Sequence, residues 1–274
     1  MATTRELIAA VEGAAAVYDL SRPYTIGMPQ SPNHPAYWHT LPRRHGDRVR
    51  ADGGSAANDL IVMGTHVGTH MDALAHVSQD GLLHGGVDAA GAQTGGRFDR
   101  HGIDTVEPLV CRGVLLDVPA VLGMGACEPA HEITPQELAS AAQRQGTAPA
   151  PGDVVLVRSG WAQRWDDRDA YIGHDTGVPG PGAAGAAWLA EQRPRAVGAD
   201  TIAFEQLDAE KGHALLPAHR ILLVDSGINI IETLDLEALA RDGIYEFLAV
   251  IVPLTLVGAT GSPVRPLAIV GRDG

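Results

Sequence analysis

The sequence has few cysteines, few aromatic residues and few positive charges. Its two cysteines, Cys111 and Cys127, match no zinc-binding or redox spacing. Lysine and arginine total 20 against 33 acidic residues, so the net charge is −13. Phosphate groups need a basic surface, and this charge therefore argues against nucleic acids and anionic membranes as partners. With 4% aromatic residues, the chain offers few side chains on which a planar substrate could stack.

Motifs for several kinds of catalysis and for targeting are also missing from the sequence. It contains no glycine-rich dinucleotide loop, phosphate-binding loop or serine nucleophile elbow. The N-terminal segment has no basic region followed by a long apolar run, so we expect no secretory signal. The longest apolar run, residues 247–257, is interrupted by Pro253 and is too short to span a bilayer. We therefore expect a cytoplasmic protein.

The sequence predicts many short secondary-structure elements, because its 33 glycines and 18 prolines interrupt the chain throughout. Apolar and β-branched segments predict nine strands, at residues 17–20, 59–64, 110–118, 153–158, 196–198, 220–224, 228–231, 247–257 and 264–270. The last two should form a terminal hairpin with a long loop. This pattern predicts one α/β or α+β domain over residues 1–274, built on a large mixed sheet.

Three helices are predicted between these strands. Thr134 and Glu137 form a capping box with Pro135 in the first helical position, and Gly146 is a suitable stop. The other two helices are expected at residues 181–191 and 234–241.

The clearest functional signal begins at His66, where three histidines and an aspartate occur within eleven positions. Residues 60–63 read as a strand that continues into this segment. Because side chains alternate along a strand, His66, Gly68, His70 and Asp72 should project from one face. Imidazole nitrogen and carboxylate oxygen are ligands for divalent Zn, Mn, Fe or Co. The pattern therefore predicts a metal site, and the alternative is a chance grouping in a chain with 12 histidines.

A second group of candidate residues lies downstream. Glu232 follows an apolar run that begins at Ile228, so we expect it near the end of a strand and partly buried. A buried, unpaired carboxylate is costly, which favours a cation or metal partner. Alternatively, Glu232 is the negative charge at the start of the next helix. His213 and His219 precede this run, and each is either a site residue or an ordinary loop histidine.

The segment from His66 to His76 resembles the hallmark His-x-Gly-Thr-His-x-Asp-x-Pro-x-His of the metal-dependent cyclase family, with Leu74 in place of proline. That family includes bacterial-type kynurenine formamidase and isatin hydrolase. Flanking segments in the family's order extend the resemblance over most of the chain, at residues 19–23, 27–29, 198–200 and 261–266. The resemblance implies a swivelling β/β/α domain, a homodimer or homotetramer, and manganese or zinc as the divalent metal.

The resemblance also implies roles for individual residues. The ligands of the first metal would be His66, His70 and Asp72. His76 would be the catalytic acid or base. In family members with two metals, a later histidine and glutamate complete a second site that shares the aspartate. The matching positions are His219 and Glu232, and His213 competes for the histidine position.

One departure from the family concerns the substrate. Small formamidases carry an aromatic residue after the Gly-Met-Pro segment, where this chain has Gln30 and Ser31. Tyr37 and Trp38 are candidates to replace it, although both would also serve in ordinary packing, and His213 is a further candidate for substrate binding. An insertion at residues 81–101 is expected to form a lid or an oligomer contact.

These features favour hydrolysis of an amide C–N bond, in a cyclic amide or an N-acyl or N-formyl aryl amine, by metal-activated water. His76, titrating near neutral pH, would take a proton from the water and return it to the leaving nitrogen. The alternative is a cyclase or dehydratase that acts on a small carbonyl compound without net hydrolysis, and it would use the same ligands. A purely structural metal site is disfavoured, because such a site closes its coordination sphere and His76 is left free.

Overall fold

The computed structural model describes residues 3–271. Its strands, in chain order, are β1 Ala15–Asp19, β2 Trp38–Arg43, β3 Asn58–Val62, β4 His70–Asp72, β5 Leu82–Leu83, β6 Val87–Asp88, β7 Gln93–Thr94, β8 Arg97–Phe98, β9 Leu109–Asp117, β10 Glu132–Ile133, β11 Val154–Arg158, β12 Gly180–Pro181, β13 Ala196–Ala199, β14 Asn229–Glu232, β15 Glu246–Ile251, β16 Gly261–Pro263 and β17 Leu267–Gly271. Its α-helices are α1 Thr4–Ala14, α2 Val118–Leu122, α3 Pro135–Gln145, α4 Arg168–Ile172, α5 Ala183–Glu191, α6 Pro217–His219 and α7 Glu237–Arg241. Short 3-10 turns and one π-helix, Arg220–Asp225, complete the described secondary structure.

Nine of the strands form one mixed sheet in the order β1-β17-β15-β9-β11-β13-β14-β4-β16. The four central strands, from β9 to β14, are parallel to one another. The strands on both flanks run antiparallel to their neighbours. The predicted large mixed sheet of an α/β protein is therefore confirmed.

The sheet must curl, because its opposite ends are close together in the chain. Strand β16 lies at one edge, and β17 is second from the other edge. Pro263 ends β16 and Leu267 begins β17, so only residues 264–266 join them. An extended chain covers at most about 3.6 Å per residue, which brings these two ends of the sheet to within about 15 Å.

The central strands are apolar on both faces. On β11, Val155 and Val157 pack into a cluster that includes side chains of α3 and α5. Val154 and Leu156 point the other way, into a second cluster enclosed by the curl. Burial on both faces explains why this strand reads as a continuous apolar run, as parallel strands usually do.

Two of the predicted helices begin and end close to their predicted positions. The capping box of α3 is present, because Thr134 Oγ1 accepts from the Glu137 N–H and the Glu137 side chain accepts from the Thr134 N–H. Gly146 ends the helix with φ +66°. Helix α5 runs two residues shorter than the predicted 181–191, and α7 covers only the second half of the predicted 234–241.

The prediction of a strand at residues 220–224 is wrong, since Arg220–Asp225 forms the π-helix. Leu222 and Leu223 are fully buried there. A short apolar run carries no period that separates a buried strand from a buried helix, which explains the error. The terminal hairpin is correct in that β15 pairs with β17, but its loop contains β16, which pairs with β4 at the other end of the sheet.

Two segments lie outside the main sheet. Strands β2 and β3 form an exposed hairpin, in which Trp38 and Ile61 are 55% and 57% exposed. The insertion at residues 81–101 forms two small hairpins, β5–β6 and β7–β8. His84 anchors the insertion, because its Nδ1 lies 2.8 Å from the Val224 carbonyl oxygen in the π-helix.

Within residues 3–271, every helix is too short or too polar to cross a membrane. The cytoplasmic location stays a prediction.

Candidate metal centre

Pairing between β4 and β14 brings three candidate ligands together. His70 lies directly opposite Glu232, and Asp72 lies opposite Ile230. Met71, between the two candidates on β4, points to the other face and is fully buried. His70, Asp72 and Glu232 therefore share the face of the sheet that α6 covers, and all three are at least 95% buried.

The predicted continuous strand through the motif is wrong. Strand β3 ends at Val62, and the chain bends over residues 65–69 before β4 begins. Gly68 has φ +66°, and a Cβ there would lie 2.7 Å from the ring of Tyr24. The Tyr24 hydroxyl donates to the Thr69 carbonyl and fixes this bend. Strand alternation therefore explains only His70 and Asp72, and His66 reaches the same place through the bend.

Both ring nitrogens of His66 are engaged in the described structure. Nδ1 lies 2.7 Å from Asp72 Oδ1, and Nε2 lies 2.9 Å from Thr260 Oγ1. Gly261 leaves room for this ring, because a Cβ there would lie 2.6 Å from His66 Cε1. For His66 to bind a metal through Nδ1, that nitrogen would have to release its proton to make room for the cation. Its predicted role as a ligand stays a prediction.

His70 presents one nitrogen to the cluster. Its Nδ1 lies 2.7 Å from the Gly68 carbonyl oxygen, which can only accept, so Nδ1 carries the proton. Nε2 then faces Asp72 Oδ1 at 3.4 Å and Glu232 Oε2 at 3.3 Å, where a bound cation would take the place of its proton. A backbone carbonyl that orients an imidazole in this way is a common feature of metal sites.

His219 approaches the same cluster from α6. Its Nε2 lies 3.2 Å from Glu232 Oε1 and 3.7 Å from Asp72 Oδ2. Its Nδ1 lies 2.6 Å from Oε1 of Glu205, which the sequence reasoning missed. Glu205 follows an apolar stretch just as Glu232 does, so the cost of burying a carboxylate was the signal that could have found it. The structure brings His219, and not His213, to the carboxylates.

The donor set fits a divalent cation. Within residues 3–271, six buried side-chain atoms have no hydrogen-bond partner, and three of them belong to this cluster: His70 Nε2, Asp72 Oδ2 and Glu232 Oε1. Unpartnered buried polar atoms are costly, so their convergence at one point calls for a shared positive partner. Ligand atoms of His70, Asp72 and Glu232 all lie within 4.8 Å of one another, and those of His66, Asp72 and His76 form a second such group. Asp72 belongs to both groups.

The electrostatics of the cluster also favour a cation. Burial raises the pKa of Asp72, but the neighbouring histidines, with a hydrogen bond from His66, outweigh it and hold the pKa well below its usual range. Burial lowers the pKa of His70, yet Asp72 and Glu232 raise it to about 10. The carboxylates thus draw positive charge into the cluster, which a metal ion would supply.

His76 stacks on His66 with a distance of 3.9 Å between ring centroids. Burial lowers the pKa of His76 to about 4, and Asp72 offsets this only in part. The expectation that His76 titrates near neutral pH is therefore wrong, and at pH 7 its ring is neutral and able to accept a proton. Because His76 also lies within reach of a shared ion with His66 and Asp72, its role as acid or base stays a prediction.

A cavity of about 250 Å³ opens onto these residues. One part of its wall is apolar, from Val77, Ile202, Ala203 and Leu216. Another part is polar, from Ser31, Asn33, His34 and His213. His213 thus lines the cavity, and its role in substrate binding stays a prediction. The sequence reasoning missed His34, whose ring stacks 5.2 Å from that of His66.

The two predicted aromatic substrate residues lie elsewhere. Tyr37 packs against Tyr24, with 5.5 Å between ring centroids, and Trp38 is exposed on β2. Neither is among the residues that line the cavity. Likewise, no residue of the insertion lines it, which gives no support to a lid at residues 81–101.

Comparison with known proteins finds several that are similar to this chain in sequence or fold. A family model described as putative cyclase matches residues 18–206. An isatin hydrolase of Roseibium aggregatum is 26% identical over 227 residues, which cover 81% of this chain and 78% of the relative. A crystal structure of a novel cyclase is 30% identical with a TM-score of 0.84, covering 97% of this chain and 93% of the other. The structure of a potential metal-dependent hydrolase with cyclase activity is 25% identical with a TM-score of 0.60, covering 94% and 100%.

Substituting His70 tests the ligand set. We expect His70→Ala to lose bound divalent metal, because it removes a buried nitrogen that faces both carboxylates. Elemental analysis of the purified protein by mass spectrometry measures this. His174→Ala is the matched control, since the His174 side chain is 83% exposed and bonds to its exposed neighbour Asp175. Full metal occupancy in His70→Ala would contradict the assignment.

Gly261 allows a second test, directed at the space around His66. In Gly261→Ala, the new Cβ would displace the His66 ring, and we expect metal affinity to fall by roughly tenfold or more. Metal titration by calorimetry measures the effect, with circular dichroism as a check on folding. Gly125→Ala is the control, because a Cβ there meets nothing within 4 Å. Equal affinity in both variants would show that the position of His66 does not matter for binding.

Proposed function

This chain belongs to the cyclase family, and from that premise we propose that it is a metal-dependent hydrolase that cleaves an amide C–N bond. One observation carries the proposal. Unpartnered buried atoms of His70, Asp72 and Glu232 converge beside the neutral ring of His76 at a cavity. Such a site can hold a cation and move a proton at the same point.

The residues that would hold the metal are His66, His70 and Asp72, with His219 and Glu232 as the second-site ligands. A bound divalent cation supplies acidity to water and polarises a carbonyl oxygen. The ligand atoms are nitrogen and oxygen, without sulfur, which suits both manganese and zinc. Asp72 belongs to both groups of ligand atoms and would be shared if two ions bind.

The chain itself supplies the proton transfer. His76 lines the cavity and is neutral at pH 7, so its free nitrogen can accept a proton from the attacking water. The same nitrogen then returns the proton to the leaving amide nitrogen. His66, stacked on His76 and bonded to Asp72, keeps the His76 ring in place.

The substrate we propose is a cyclic amide or an N-acyl or N-formyl aryl amine. The isatin hydrolase relative supports this class, since isatin is a cyclic aryl amide. The apolar part of the cavity wall, which includes Val77 and Leu216, would contact the substrate's carbon skeleton. Asn33 and His213 would offer hydrogen bonds. Tyr37 and Trp38 stay predictions as substrate residues, and in this structure they lie away from the cavity.

The proposed reaction is tested with water enriched in oxygen-18. We expect a panel of isatins, other cyclic amides and N-formyl aryl amines to include a substrate whose carboxylate product gains one labelled oxygen. Mass spectrometry of the product measures the label, and His70→Ala should not turn over. A product formed without label would instead support the alternative, a cyclase or dehydratase acting on a carbonyl compound.

Replacing His76 separates proton transfer from metal binding. We expect His76→Ala to keep its metal and to lose roughly 10²–10⁴-fold in turnover number, which is the usual worth of general acid–base catalysis. Steady-state kinetics and elemental analysis on the same preparation measure both. Metal lost together with turnover would make His76 a ligand, and an unchanged turnover number would remove it from the mechanism.

We also propose that the chain acts as a homodimer or homotetramer. The hairpin of β2 and β3 supports this, because its apolar side chains Trp38, Ile61 and Val62 are more than half exposed, as at subunit interfaces. Light scattering after gel filtration should give two or four times the mass of one chain. Ile61→Asp should lower that mass, and Leu254→Asp, also at an exposed apolar position, should leave it unchanged. A monomeric wild type would contradict the proposal.

A further inference from the structure

Glu205 is a buried carboxylate that the proposed reaction does not use. It is 1% exposed and lies between β13 and α6. Its Oε1 accepts from the backbone N–H of His219 at 3.0 Å and lies 2.6 Å from His219 Nδ1. Its Oε2 accepts from the Ala218 N–H at 3.0 Å. Three donors on one short segment therefore point at a single carboxylate.

The backbone around Glu205 is shaped to hold it there. Phe204, the preceding residue, has φ +58°, a region that residues with a side chain seldom adopt. Gly180 packs against this turn, and a Cβ on it would lie 2.5 Å from backbone atoms of Phe204 and Glu205. The close packing leaves Glu205 little freedom to turn away from His219.

The bond to Glu205 decides which nitrogen of His219 is free. A carboxylate can only accept, so His219 Nδ1 carries the proton and donates it. Nε2 then faces Glu232 Oε1 at 3.2 Å and Asp72 Oδ2 at 3.7 Å, where a bound cation would take the place of its proton. Neither oxygen has a hydrogen-bond partner among residues 3–271, so both are available to a bound cation.

We propose that Glu205 is a positioning residue for the metal centre: it fixes His219 in the tautomer and orientation that present Nε2 to Asp72 and Glu232. The inference rests on the proposed function, since Glu205 would act through His219, one of the second-site ligands proposed above. His70 has a neutral carbonyl in the equivalent place, whereas His219 has a charged partner that makes its ring a stronger electron donor. Glu205 thereby strengthens the site formed by His219 and Glu232.

An amide in place of the carboxylate tests this assignment. Glutamine has one accepting atom and one donating group, so Glu205→Gln cannot serve all three donors at once. We expect the zinc-binding event that depends on His219 to weaken by roughly 10–100-fold, the usual effect of removing such a partner. Calorimetric titration of the full chain with zinc ions measures it, and His219→Ala identifies which event depends on His219.

Asp200 provides the matched control. It is also fully buried and accepts from three donors, the Ser159 N–H and hydroxyl and the Gly160 N–H, but it bonds to no histidine. Asp200→Asn removes a charge in the same way, and we expect zinc affinity to stay within about threefold of the wild type while thermal stability falls. A loss of zinc in both variants would show that Glu205 acts only through folding, which would overturn the proposal.

The remaining outcomes separate this inference from the proposed function. Wild-type affinity in a folded Glu205→Gln variant would overturn the role of Glu205 and leave the metal-dependent hydrolase intact. Zinc binding that is unaffected by His219→Ala would do the same. A wild-type protein that binds no divalent metal would contradict the proposed function itself.

If the Glu205→Gln variant does not fold, a measurement on the wild-type protein tests the proposal instead. In the zinc-loaded protein labelled with nitrogen-15 at histidine, we expect His219 to have a protonated Nδ1 and a metal-bonded Nε2. The chemical shifts of the two ring nitrogens distinguish the tautomers, and the His219→Ala spectrum assigns the signal. The opposite tautomer would overturn the proposal.

Discussion

The structure depends on two carboxylates that are buried side by side. Asp72 and Glu232 lie on neighbouring strands, face the same side of the sheet and are 0% and 5% exposed. Two negative charges on neighbouring strands in an interior without water are unfavourable unless positive charge lies between them. The surrounding residues meet that constraint: histidines approach from the bend before β4, from β4 itself and from α6. Compensating positive charge is thus a condition for the stability of this edge of the sheet, and a bound metal ion would supply it.

The sequence predicted the members of this cluster better than the way in which they come together. His66, His70 and Asp72 meet as expected, but the reasoning from strand alternation fails at Gly68, whose positive φ breaks the strand. The alternation of side chains along a strand, read from the sequence, cannot reveal such a bend. Glu232 was recognised by the cost of burying a charge, and the same argument applied to Glu205 would have found it.

Other parts of the site could not be read from the chain, because they are set by contacts distant in sequence. Thr260 reaches His66 across 194 residues, and Gly261 is needed only because the His66 ring occupies the space above it. The mixed sheet was predicted from its strands, since apolar runs bounded by turn residues are local features. The π-helix at residues 220–225 was not, because its apolar run fits a strand equally well. The lining of the cavity, including His34, likewise needs the fold in three dimensions.

The curl of the sheet has a consequence for the order of events during synthesis. Strand β4 carries His70 and Asp72 near the start of the chain, while its edge partner β16 lies close to the end. A chain that has been synthesised only as far as β4 lacks Glu232 on β14 and lacks Thr260, which bonds His66, so the cluster is incomplete. Contacts between such distant segments form late, because loop closure must precede them. The cluster can therefore assemble only after β14 and β16 have been synthesised, and until then β4, with His70 and Asp72, has no neighbouring strand.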